Sequence, residues 1–375
     1  MPCRNPVPAG HWPFVAAVIR NRAACHGVGA HRYSEPRQFF AALATTHRKA
    51  RMAYPVEVLD RILGVMTGMA AGDALGAGYE FNAPLPDSAQ VDMIGGGLGN
   101  FAPGEWTDDT SMAIVVAQGL LGSNGKLDGA ASDYMVREWA RWAVNAPDVG
   151  NQTRAVLAFA QSTASADGRT EPNTADALAG SEQIHRRTGR SGGNGSLMRT
   201  APVALAYLSG TPAAAFDAAA AISKLTHFDD EAAEACGLWT VAIQHAVLTG
   251  ELDIRIGLEL LKPDRAHVWE QRIGQAETQL PRDFGNNGWV VEAFQAAWSA
   301  ITTADAVDGK ARLVPVVEAA VRGGVDTDTV AAIAGSLIGA ATGLESIPEQ
   351  WVEMVHGWPG MRMQELIDIS NDLAG

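Results

Sequence analysis

The chain has 375 residues, enough for a large buried core, and its 47% hydrophobic and 19% charged residues are those of a globular protein. A net charge of −14 argues against nucleic acid as the main partner. Three cysteines, Cys3, Cys25 and Cys236, show no metal-type or disulfide-type spacing and fit a reducing, cytoplasmic setting.

Residues 1–53 differ from the rest. They carry eight Lys/Arg and one acid, Glu35, so about +7, with little periodicity. Pro2, Pro6, Pro8 and Pro13 keep the beginning extended, and "EPRQFFAALATTHRKA" suggests one short amphipathic helix. The apolar stretch of "HWPFVAAVIRNR" is too short for a membrane span and lacks a secretory cleavage site. The segment is expected to be a basic extension ahead of a catalytic domain, 54–375.

From Tyr54 onward the pattern is helical almost throughout. "VEVLDRILGVMTGMAAGDALG" places Gly64, Gly68, Gly72 and Gly76 four apart. Each glycine weakens a helix by roughly 1 kcal/mol relative to alanine. Four on one stripe therefore predict a place where another backbone comes close. Further helices are expected over 110–122, 129–145, 152–164, 174–187, 197–208, 213–224, 230–249, 254–261, 266–277, 288–301, 310–322, 329–343 and 363–373. Strand patterns are scarce and no fixed-period repeat is present, so the fold class is all-α.

Two helix starts carry an unusual load of acid. "WTDDT" sets Thr107, Asp108, Asp109 and Thr110 ahead of an apolar run. More than two hundred residues later, "GGVDTDTVAAIAG" sets Asp326, Thr327, Asp328 and Thr329 ahead of an Ala/Gly-rich helix. Each alone reads as a helix cap. Together, four carboxylates and threonine hydroxyls make an oxygen-rich set suited to a hard divalent cation such as Mg2+ or Mn2+. A third stretch, "GDALGAGYEF", holds Asp73, read as a structural hydrogen-bond acceptor, and Glu80, read as either a surface or a catalytic carboxylate.

At this point the sequence resembles the ADP-ribosylglycohydrolase family, which includes the hydrolase that reactivates nitrogenase reductase. The motifs stand in family order: Gly72–Gly76 with Glu80, Trp106–Thr110, Gly193–Arg199, Leu225–His227, Gly288–Ala293 and Gly324–Thr329. They span roughly residues 56–345. One departure is Val325, where the family commonly has glycine; it is not expected to disturb the neighbouring acids.

The resemblance implies a single large orthogonal helical bundle and a metal-dependent hydrolase that removes ADP-ribose from a modified protein side chain, arginine being the favoured linkage. It implies Thr107, Asp108, Asp109, Asp326, Asp328 and Thr329 as ligands of a centre of two divalent cations, Mg2+ or Mn2+. Asp108, Asp109 and Glu80 become the candidates for handling the proton of the attacking water. "SGGNGSLMR" becomes a diphosphate cradle of Ser191, Gly192, Gly193 and Asn194, ahead of a helix beginning near Leu197. His227 is placed at the substrate cleft. Trp239, Trp269, Trp298 and Trp351 are read as packing residues.

An alternative reading is a binding-only immunity protein that occludes an ADP-ribosylating toxin through its Arg-rich arm. O-linked ADP-ribose is a further alternative substrate.

Overall fold

Residues 54–304 and 312–375 are described by the computed structural model. Every expectation for residues 1–53 lies outside them. In chain order the helices are α1 (Val56–Gly76), α2 (Asp108–Gly122), α3 (Gly129–Trp142), α4 (Asn151–Ala166), α5 (Thr174–Thr188), α6 (Ala201–Ala206) and α7 (Pro212–Lys224). There follow α8 (Asp230–Thr249), α9 (Pro263–Ala276), α10 (Val290–Thr303), α11 (Leu313–Arg322), α12 (Thr327–Thr342), α13 (Glu349–Met354) and α14 (Met363–Ala374). A two-stranded antiparallel ribbon, β1 (His356–Gly357) and β2 (Met361–Arg362), precedes α14. The fold is all-α, as expected.

Local chemistry sets many helix ends. Asp128, Thr211 and Asp229 each accept a backbone N–H as N-caps of α3, α7 and α8. Asn173 and Asp176 form a capping box at the start of α5. Left-handed Gly189 and Gly250 end α5 and α8.

The glycine stripe organises the centre. A Cβ on Gly64, Gly68 or Gly72 would run into the carbonyl oxygens of Gly339, Gly335 and Ala331 of α12, and one on Gly76 into the Asp328 backbone. Gly335 and Gly339 answer reciprocally against Gly68 and Gly64. Helices α1 and α12 therefore meet backbone to backbone, and both are buried along nearly their whole length. Helices α8, α10 and α11 pack against α12, while α14 packs against α1. The four expected packing tryptophans are buried; Trp239 also donates to Ile333 O and Ser336 Oγ of α12.

The structure departs from the periodic reading in three places. The expected helix 254–261 is a 3-10 helix, Ile254–Leu260. The expected helix 197–208 is a 3-10 turn at Asn194–Ser196 followed by the short α6. Proline is tolerated only in a first turn, and Pro202 stands in the first turn of α6. The short α13 and the β-ribbon had no periodic signal.

Candidate metal centre and cleft

Close contact between α1 and α12 brings the acidic helix starts together. The start of α2 is capped, but from α1. Asp73 Oδ1 accepts from Thr107 N (2.9 Å), and Asp73 Oδ2 accepts from Thr110 N (3.0 Å) and Thr110 Oγ1 (2.7 Å). No side-chain cap comes from Thr107 itself, nor from Asp326 at the start of α12. Asp73 does the work of a cap, which leaves Thr107, Asp108 and Asp109 for another role.

Asp109 is buried between the two starts. Its Oδ2 lies 3.2 Å from Thr107 Oγ1 and 3.4 Å from Thr329 Oγ1, and its Oδ1 is buried without a partner. Carboxylate oxygens of Asp73, Asp109 and Asp328 lie within 4.8 Å of one another, as do those of Glu80, Asp326 and Asp328. Asp73 has both oxygens occupied by hydrogen bonds, whereas Asp109 Oδ1 and Glu80 Oε2 are buried without partners, and Asp326 and Asp328 complete the groupings. Asp326 is held in place: Asn194 Nδ2 donates to its Oδ2 (2.7 Å), and its own N–H donates to Asn287 Oδ1 (3.1 Å).

Crowded carboxylates titrate late. Burial, then Asp148, Asp73 and Asp326, push Asp108 up to about 8. Burial, then Asp148, Asp326 and Asp108, push Glu80 up to about 8. Burial and neighbouring acids hold Asp109 and Asp328 well above the usual carboxylate range. These folded-state values exceed the unfolded ones, so the metal-free folded chain binds extra protons between about pH 4 and 8. Stability of the metal-free protein is therefore expected to fall as pH rises through that window, and Mg2+ or Mn2+ to flatten the slope. Melting temperatures at about pH 5.5, 7 and 8.5, with and without metal, check this.

A cleft of ≈ 350 Å³ opens beside the cluster. Glu80, Asp108, Asp148, Asn194, His227, Asp326 and Asp328 are among its lining residues, with Gly193 and Gly195. Ser191, Gly192 and Asp109 do not line it. Ser191 is buried, its Oγ 2.6 Å from His185 Nδ1. The phosphate-cradle reading also changes at Asn194. Its N–H donates to Gly288 O (3.1 Å), and no α-helix begins at Leu197 to aim N–H groups outward.

Three contributors carried no role in the sequence reading. Asp148, just ahead of α4, enters the cleft and raises the acids around it. Gln152 Nε2 ties α4 to Ser191 O (2.9 Å) and Thr226 O (2.8 Å). Asn287 accepts from Asp326 N and donates to Gly324 O (3.0 Å). The only signal for each was a polar residue near a turn.

Val325 proves more constrained than expected. It has φ 64°, a left-handed conformation that glycine adopts freely and a β-branched residue does not. Phe81, φ 59°, faces it: Phe81 N donates to Val325 O (2.5 Å), and Val325 N donates to Asn82 O (2.9 Å). Strain of this kind costs about 1–3 kcal/mol. Val325→Gly is expected to stabilise the fold by about 1 kcal/mol after glycine's extra unfolded-state entropy. A urea unfolding curve measures it.

The sequence profile of the ADP-ribosylglycohydrolase family matches residues 55–375. The chain is 32% identical over 314 residues to the ADP-ribosylarginine hydrolase Tri1 of Pseudomonas putida, covering 80% of this chain and 76% of that protein. It is 29% identical to the ADP-ribosyl-[dinitrogen reductase] glycohydrolase of Rhodospirillum rubrum, covering 85% of this chain and 98% of that one. Among solved structures, one described as an ADP-ribosylglycohydrolase-related protein complex superposes with a TM-score of 0.63 at 28% identity, covering 85% of this chain and 98% of that one. The profile match covers most of the chain and both acidic helix starts: the protein is a member of the ADP-ribosylglycohydrolase family.

Proposed function

We propose that residues 54–375 form a metal-dependent hydrolase that cleaves the N-glycosidic bond between ADP-ribose and a protein arginine. The observation that carries this is the convergence of two acidic helix starts, far apart in sequence, on one wall of a cleft. The residues fit a cation centre. All donors are oxygen, and Asp109 Oδ1 and Glu80 Oε2 are buried without partners. Asp109, Asp328, Asp326 and Glu80, with Thr107 and Thr329 beside Asp109, would hold Mg2+ or Mn2+, and a pair of ions suits two carboxylate groupings sharing Asp328. A bound divalent ion supplies orientation of substrate hydroxyls and a lowered pKa of water.

The chain's own groups account for the rest. Water oxygen bonds to the anomeric carbon as the carbon–nitrogen bond breaks, and positive charge develops on the ribose ring. The carboxylates of Asp108, Glu80 and Asp148 face that charge across the cleft. Asp108, which lines the cleft beside the cluster, suits a group that takes the proton of water and returns one to the leaving guanidine, with Glu80 the other candidate. Asp109, buried away from the cleft, acts through the cation. The two relatives named above are described as acting on ADP-ribosylarginine and on ADP-ribosylated dinitrogen reductase.

A panel of proteins carrying arginine-linked or serine-linked ADP-ribose tests the substrate. Release from arginine alone, or at least about tenfold faster, is expected; preferential release from serine contradicts the reading. Among the described residues no helix is long and apolar enough to cross a membrane.

The extension supports a second role. Its charge of about +7 and Arg content suit the acidic cleft of an arginine-directed ADP-ribosyltransferase, where the arm would imitate the substrate while the hydrolase reverses any modification made. Deleting residues 1–50 is expected to leave hydrolysis intact and abolish tight binding to a cognate transferase. Binding assays with both forms decide it.

A further inference from the structure

Arg199 is fully buried. Its guanidinium stacks on Trp139 (4.0 Å to the ring centroid), Nη1 lies 3.8 Å from Met112 Sδ, and Nε has no hydrogen-bond partner. The remaining polar contact is Nη2 to Thr226 Oγ1, at 2.7 Å. Thr226 Oγ1 is in turn 2.8 Å from His227 Nδ1. A guanidinium only donates, so the Thr226 oxygen accepts from Arg199, and its own proton is available to the histidine. Among the described residues Nδ1 is the one acceptor within reach of that proton, so Nδ1 accepts it and the ring proton belongs on Nε2.

The opposite edge of the ring faces the cleft. A Cβ on Gly193 would stand 3.3 Å from His227 Nε2, and one on Gly195 would stand 3.2 Å from Cε1 and 3.4 Å from Nε2. Neither glycine has a positive φ, so backbone conformation does not require glycine at either position. Their missing side chains leave the Nε2 edge uncrowded, and His227 lines the cleft.

We infer that Arg199 and Thr226 are positioning residues that hold His227 as a neutral imidazole protonated on Nε2, making it a hydrogen-bond donor to a phosphate or ribose oxygen of ADP-ribose. The ligand half of this rests on the proposed function; the relay does not. Burial, with the Arg199 charge added, depresses His227 to about 3, in keeping with a ring that stays neutral. Arg199 itself is lowered by burial only to about 10 and so keeps its charge. His227 is then unsuited to act as a base towards water: its basic nitrogen is turned inward onto Thr226.

The test uses the full chain labelled with 15N-histidine, the His227 signals being assigned by their loss in His227→Gln. Long-range nitrogen–proton spectra are expected to show the Nε2–H tautomer in the wild type. In Thr226→Val they are expected to show a mixture or the Nδ1–H form, and in Thr226→Ser a return to Nε2–H. Calorimetry with ADP-ribose is expected to show binding weakened about tenfold in Thr226→Val and restored in Thr226→Ser, the range for one lost hydrogen bond. An Nδ1–H tautomer in the wild type overturns the inference, whether or not Thr226→Val folds. So does a Thr226→Val ring spectrum identical to that of the wild type. The expected spectra with no ADP-ribose binding by the wild type would support the relay and sink the substrate reading instead.

Discussion

Asp328→Asn is expected to lower hydrolysis by about 10²–10³-fold or more while leaving the fold intact, and to raise the melting temperature of the metal-free protein. The rate loss is the size seen when an electrostatic stabiliser of a developing charge is removed. Asp328 belongs to both carboxylate groupings, so its loss disturbs each. The stability gain follows from removing one of several buried like charges, which hold one another's pKa values up. A helix-capping role predicts the reverse: near-normal turnover and a loss of about 1 kcal/mol. Asp326→Ala should lose activity similarly. Turnover and melting temperature, measured on the same samples with and without Mg2+, separate the two accounts.

Gly72→Ala is the second large effect. One methyl group is added, yet it would meet the Ala331 carbonyl and the backbone beside it. Neither helix can yield without moving its neighbours, since α1 and α12 are both buried nearly throughout. Overpacking of this kind costs typically 1–3 kcal/mol, and contact with backbone rather than a flexible side chain places it near about 3. The separation would also move Asp73, next in sequence, away from Thr107 and Thr110. Divalent-cation affinity should therefore fall along with stability. Gly122→Ala, which has open space around its Cβ, is the control and should be neutral or mildly stabilising. Urea unfolding and Mn2+ titration measure both effects.

The glycine stripe was legible because its spacing of four has one simple physical cause, close approach of a second helix, although the sequence did not say which helix. The acidic starts were legible as one oxygen-rich cluster suited to a cation because four carboxylates in two similar settings are hard to explain as caps. That they are not caps needed the structure, where Asp73 caps α2 from a neighbouring helix. Asp148, ahead of α4, and Gln152, in its first turn, were missed because a polar residue at a helix start most commonly reads as a cap or a solvated side chain. Arg199 stood inside a quoted motif without a role, since nothing in sequence distinguishes a buried arginine stacked on Trp139 from a solvated one. The helix expected from Leu197 was over-read because "SLMRTAPVALAYL" has helical periodicity, whereas Pro202 marks where the α-helix begins.

The most direct test of the metal-centred account follows ADP-ribose release from an arginine-ADP-ribosylated protein by enzyme stripped with EDTA, then resupplied with Mg2+ or Mn2+. The account predicts no release from the stripped enzyme, and release restored by either ion in the wild type but not in Asp328→Asn. Full activity in the stripped wild-type enzyme would contradict it.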